Sequence, residues 1–168
     1  MNNKGFISVG VVLVAVLLII VGGFVSLYNG LKEAEITVDA SYGQVENQMQ
    51  RRSDLIPNLV NTVKGYDIHE KSIIEEVVNA RAKLAGAQSV EQMDAANAEL
   101  TGALGRLFAI VEAYPDLKAN TQYLELMREL SGSENRIAVA RRDYNEAVRA
   151  YNVRIATFPG VFLAGMMA

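Results

Sequence analysis

FISVGVVLVAVLLIIVGGFVSL, residues Phe6–Leu27, is the stretch on which the reading of the whole chain depends. No charged side chain lies between Lys4 and Lys32. A helix crossing the hydrocarbon core of a bilayer needs about 20 apolar residues at about 1.5 Å rise each, and this run supplies them. A cleaved secretory signal has a shorter apolar region and a small-residue cleavage site. The exit here, Gly22-Gly23-Phe24-Val25-Ser26, carries no A-x-A pattern. The run therefore predicts an uncleaved transmembrane helix. Gly22 and Ser26 make a small-xxx-small pair of the kind that lets two spans approach closely, a motif short enough to arise by chance.

The remaining residues of the 168, about 135, amount to one domain. A net charge of −3 provides no general basic field, and no aromatic residues interleave with the basic ones, so nucleic acid is not an expected partner. The chain has no cysteine, which removes disulfides, thiolate metal sites, an acylated lipoprotein cysteine and a cysteine nucleophile. After residue 28, alanine, leucine, glutamate and arginine dominate, the composition of long helices.

From Tyr28 the apolar period is helical. Tyr28, Leu31, Glu35, Val38, Tyr42, Val45, Met49, Arg52, Ile56, Leu59, Val63 and Tyr66 follow in steps of three and four, and all but Glu35 and Arg52 are apolar or aromatic. That spacing is a coiled-coil-type seam, so the span is expected to run on into a long first helix. Pro57 removes the amide that would bond Ser53 and crowds that carbonyl, predicting a bend and not an end. Asp67 with Glu70 reads as a capping box for a second helix, from Ile68 to Leu84, with Ile73, Val77, Ala80 and Leu84 as its apolar face. Ser89 with Gln92 repeats the signal before Met93, Ala96, Leu100, Ala103, Leu107, Ile110 and Tyr114. After Tyr114-Pro115-Asp116, a last helix from Asp116 to Phe158 carries Tyr123, Leu130, Ile137, Tyr144, Tyr151 and Phe158 at intervals of seven, and Gly132 inside it is a candidate irregularity.

The expected fold is all-α: a transmembrane helix within residues 1–27, an antiparallel four-helix bundle over 28–158, and an apolar tail over 159–168. At about 1.5 Å per residue, travelling out, back, out and back brings the chain to within about 8 Å of its start. It arrives with Phe158-Pro159-Gly160-Val161-Phe162-Leu163-Ala164-Gly165-Met166-Met167-Ala168, a charge-free tail too short to span. Phe158 and Phe162 are candidates for contact with the membrane interface, the base of the bundle or a neighbouring copy.

The residues that chemistry would use are few. His69 is the sole histidine; His69-Glu70 begins like a zinc-protease motif, but Ile73 stands where the second ligand belongs. Gly102-Ala103-Leu104-Gly105 lacks a third glycine and a preceding strand. No catalytic residue, metal or cofactor is expected. Two charged groups remain: Arg51, Arg52 and Asp54 beside Pro57, and Glu134 and Arg141 to Tyr144 on the last helix. Arg52 falls on the apolar seam, where a lone charge costs several kcal/mol, so a carboxylate on the last helix is expected beside it, Glu134 first. The functional alternative is a ligand or anion site formed by these arginines.

Gln50-Arg51-Arg52-Ser53-Asp54-Leu55-Ile56-Pro57-Asn58-Leu59-Val60, Tyr114-Pro115-Asp116-Leu117-Lys118-Ala119-Asn120, Glu134-Asn135-Arg136-Ile137, Ala140-Arg141-Arg142-Asp143-Tyr144-Asn145 and Phe158-Pro159 are together similar to the LemA family of bacterial membrane-anchored proteins. Tyr28-Asn29, Val63 to Tyr66, His69-Glu70, Asn79-Ala80-Arg81 and Tyr151-Asn152 extend the resemblance over nearly the whole chain. It implies an N-terminal anchor, a long antiparallel helical bundle, a bacterial cell membrane and a cytoplasmic bundle, and it supplies no reaction. Many relatives continue beyond the Phe-Pro segment with a polar tail, where this sequence has Met166-Met167-Ala168. Lys32, Arg51 and Arg52 beyond the span lean the orientation the same way.

The expected function is a non-enzymatic, single-pass scaffold or membrane-organising protein. Its partners would be the lipid bilayer, copies of itself and an unidentified protein. The alternative is a sensor or accessory subunit binding a small ligand near Pro57.

Overall fold

The computed structural model describes residues 3–66 and 70–167, with side-chain burial over 10–66 and 70–166. The described residues are helical with no strand: α1 (Asn3–Lys64), α2 (Lys71–Ala85), α3 (Val90–Val111), α4 (Pro115–Lys118), α5 (Thr121–Ala156) and α6 (Gly160–Met167). The chain divides into two compact units, one over Ser41–Tyr144 and one made of residues 1–40 with 145–168.

In the 41–144 unit the seam positions Val45, Met49, Ile56, Leu59 and Val63 of α1 are buried, as the three-four spacing requires. They share one core with Val77 and Leu84 of α2, Leu100 and Leu107 of α3, Leu117 of α4, and Tyr123, Leu130 and Ile137 of α5. Burying an Ile or Leu completely stabilises by about 1.5–3 kcal/mol, so this cluster holds the unit together. Cross-helix pairs give the directions. Arg51 meets Glu129 while Tyr42 meets Tyr144, so α1 and α5 run antiparallel here. Glu76 meets Arg106 and Lys83 meets Glu99, so α2 and α3 do too. Thr101 reaches Glu134 and Asp94 reaches Arg141, which opposes α3 to α5.

Four local expectations are corrected. α2 begins at Lys71 and not at Ile68; Glu70 takes its N-cap position with non-helical backbone and no side-chain cap bond, while Asp67 and His69 lie outside the described residues. Its buried face is Ile74, Val77, Ala80 and Leu84, with Ile73 half-buried against the same core. The last helix is interrupted at its start: Asn120 accepts from the Tyr123 amide (2.9 Å) and donates to the Tyr66 hydroxyl (2.8 Å), so α5 starts at Thr121 and Pro115–Lys118 forms a separate turn. α5 ends at Ala156, before Phe158, and the tail is itself helical.

Other local signals are realised directly. Ser89 caps α3 by accepting from the Gln92 amide at 3.2 Å, and the Gln92 side chain accepts from the Gln88 amide at 2.9 Å. Pro57 lies inside α1 and does not end it, whereas Gly132 brings no irregularity, since α5 passes through it unbroken.

In the other unit, Leu31, Ala34, Ala147 and Leu163 are buried. The side chains of Val11–Val14, Val16–Val21, Phe24, Val25 and Leu27 stand exposed. An apolar helix of this length with nothing packed on it lies beyond what water tolerates on a protein surface, and it is long and apolar enough to cross a membrane.

Candidate functional site

Two of the charged residues singled out in the sequence, Arg52 and Glu134, meet in a layer inside the 41–144 unit. Arg52 is only 2% exposed. Its Nη1 donates to the Asn97 side-chain carbonyl at 2.8 Å, its Nη2 donates to the Thr101 hydroxyl at 3.1 Å, and its guanidinium is ion-paired with Glu134. The Thr101 hydroxyl has one proton and two acceptors in reach, Glu134 Oε1 at 2.8 Å and the Asn97 backbone carbonyl at 2.9 Å. A cation on the apolar seam of α1 is thus surrounded by an amide, a hydroxyl and a carboxylate from α3 and α5. Only the Arg52 side of this pair is buried: the Glu134 side chain is 39% exposed, so water screens the carboxylate, and loss of Glu134 would leave the buried guanidinium without its counter-charge. Arg52 Nε and the Ser53 hydroxyl are buried without a partner.

The other candidates do not join this layer. Arg141 donates to Asp94 at 2.6 Å, Arg51 reaches Glu129 at 3.4 Å on the surface, and Asp54 accepts from Gln50 on its own helix at 2.8 Å. Tyr144 packs against Tyr42 with ring centroids 6.1 Å apart. Burial, then the neighbouring Glu46 carboxylate, lifts the Tyr42 phenol above its ordinary pKa.

Pro57 has a consequence that periodicity does not reveal. With no amide at 57, the Ser53 carbonyl loses its helical donor, and Arg81 of α2 fills the place, its Nε donating to that oxygen at 3.1 Å. One turn before Pro57, α1 and the end of α2 leave a cleft of about 190 Å³ lined by Met49, Gln50, Ser53, Leu84, Ala87 and Met93. Among the described residues, no three of His, Cys, Asp or Glu stand together to hold a metal ion. Asn97 and Thr101 were not singled out by sequence, and Arg81 entered only through the family resemblance; a polar residue one step off a seam, as Asn97 is beside Ala96, was the available signal.

In the other unit, Arg154 near the end of α5 donates through Nη1 to the Gly30 carbonyl of α1 at 2.5 Å. Ser26, Leu27, Gly30, Arg154, Phe158 and Gly160 line a cleft of about 610 Å³ there. The tail therefore starts beside the end of the apolar run.

The LemA family model matches residues 41–168, most of the chain. The chain belongs to the LemA family. Curated relatives include two magnetosome proteins of Paramagnetospirillum magneticum, MamQ 1 and MamQ 2, each 29% identical over 163 residues covering 82% of this chain and 60% of theirs. Protein LemA of Metamycoplasma hominis is 27% identical over 139 residues, covering 80% of this chain and 62% of its own. The chain thus spans about three-fifths of the length of the relatives it matches. With its exposed apolar helix, this LemA-family chain is a membrane-associated helical protein.

Proposed function

We propose that this LemA-family chain is a non-enzymatic, single-pass membrane scaffold. Its span lies in a bacterial cell membrane, its bundle faces the cytoplasm, and its partners are the bilayer, copies of itself and a further protein. One observation supports this most: three arginines, and the carboxylates of Glu134 and Asp94, are occupied in joining helices. Arg52 is held with Glu134, Arg141 with Asp94, and Arg81 with a backbone carbonyl. The MamQ relatives are named as magnetosome proteins and not for a reaction, which agrees with an organising role. Sizing with light scattering on the detergent-solubilised chain tests self-assembly. A protein mass of several chains is expected; a mass of one chain across the concentration range contradicts it.

A second reading has an observation of its own. The cleft beside Ser53 is small, lies one turn from Pro57 and includes a buried hydroxyl with no partner, so a small polar ligand held there would make the protein a sensor or accessory subunit. A thermal-shift response to a metabolite, lost in Ser53→Ala, favours this reading over the scaffold.

A further inference from the structure

The tail helix has two unlike sides. Leu163 is 4% exposed, while Phe158, Phe162 and Met166 are 80%, 68% and 76% exposed. Steps of four place Phe162 and Met166 on one side of α6, and Phe158 just before it meets Phe162 edge-on, ring centroids 6.0 Å apart. No charged side chain follows Arg154. The place of this apolar side follows from contacts within the same unit. Phe158 and Gly160 line one cleft with Ser26 and Leu27, the last residues of the exposed apolar run. Arg154 is fixed to the Gly30 carbonyl, one turn past Ser26, where polar sequence resumes. A long basic side chain at that level can keep its head among polar groups while its stem covers apolar surface. The open face of α6 is therefore continuous with the surface that α1 presents to lipid, and whatever solvates Leu27 also reaches Phe158.

We propose that α6 is a second membrane contact: an eight-residue helix lying in the lipid interface, with Phe158, Phe162 and Met166 among the acyl chains beside the end of the span. This rests on the reading of Val11–Leu27 as a bilayer-crossing helix. At about 1.5 Å per residue α6 is too short to cross, so it lies along the interface. Continuity with the lipid-facing surface of α1 favours lipid over a second copy as its cover.

The chain has no tryptophan, so one introduced indole reports alone. Three full-length variants, Phe162→Trp, Leu18→Trp and Leu124→Trp, are reconstituted into phosphatidylcholine vesicles with or without brominated acyl chains. Leu18 lies in the apolar run and Leu124 is an exposed position of the bundle unit. Bromolipid is expected to quench Leu18→Trp and Phe162→Trp at least about twofold, as insertion among acyl chains requires, and to leave Leu124→Trp unchanged. Quenching of Leu18→Trp alone overturns the proposal and leaves the span standing. Phe162→Trp emission that is blue-shifted but unquenched overturns it in favour of a second copy. Absence of quenching at both positions overturns the span and the proposal together.

Discussion

At the scale of single residues, Ser53 has the unusual backbone. Its carbonyl faces a proline four residues on, so the bond that α1 would give it is missing, and Arg81 supplies the donor from another helix. Arg81→Met leaves that buried oxygen without a partner, and about 1–3 kcal/mol of stability should be lost in urea unfolding of the solubilised chain. In a Pro57→Ala background the helix recovers its own amide, so the same substitution should cost much less. Equal losses in the two backgrounds would contradict this assignment. Sequence reading finds half of this arrangement, since the proline announces the orphaned carbonyl. It does not name the donor, because Arg81 lies on another helix at no fixed sequence offset from Ser53. Arg52 is the more legible case: a charge on an apolar seam has to meet an acid from a facing helix, and the structure gives it Glu134. Asn97 and Thr101, which complete the layer, are ordinary polar residues whose inward placement only packing reveals.

Among the elements, periodicity locates most of the buried faces, while the starts of α2 and α5 escape it. The seam of α1 within the unit and that of α3 as far as Leu107 follow the three-four rule, but Val111 is buried where Ile110 was expected, and Tyr114 lies past the end of α3. The start of α5 was hidden because Asp116 to Lys118 reads as good helix, and the break depends on one asparagine capping the chain and bonding Tyr66. The tail was read as apolar but not as a helix. What seats it is Gly160: a Cβ there would stand 2.0 Å from the Arg154 carbonyl oxygen, so the first turn of α6 approaches the end of α5 as only glycine permits. Gly160→Ala should force that turn away at a cost of about 1–3 kcal/mol, speeding tryptic cleavage after Arg154 by about fivefold or more while the helical melt of the bundle is unchanged. Cleavage at the parental rate would show that α6 is seated some other way.

For the molecule as a whole, the claim beneath the others is that an apolar helix stays attached to a polar bundle and keeps it at a membrane. Composition made this legible, since a charge-free run of that length has few other uses. The division at residues 40 and 145 was not legible, because α1 and α5 each pass through it without any shift in their pattern. A cleaved leader would leave the seam and the Arg52 layer intact, so the fate of residues 6–27 decides between a membrane scaffold and a released bundle. The most direct measurement is the intact mass of the chain recovered from carbonate-washed membranes of expressing cells. The account predicts the full 18.3 kDa chain in the membrane pellet. A soluble product lacking the N-terminal run would contradict it.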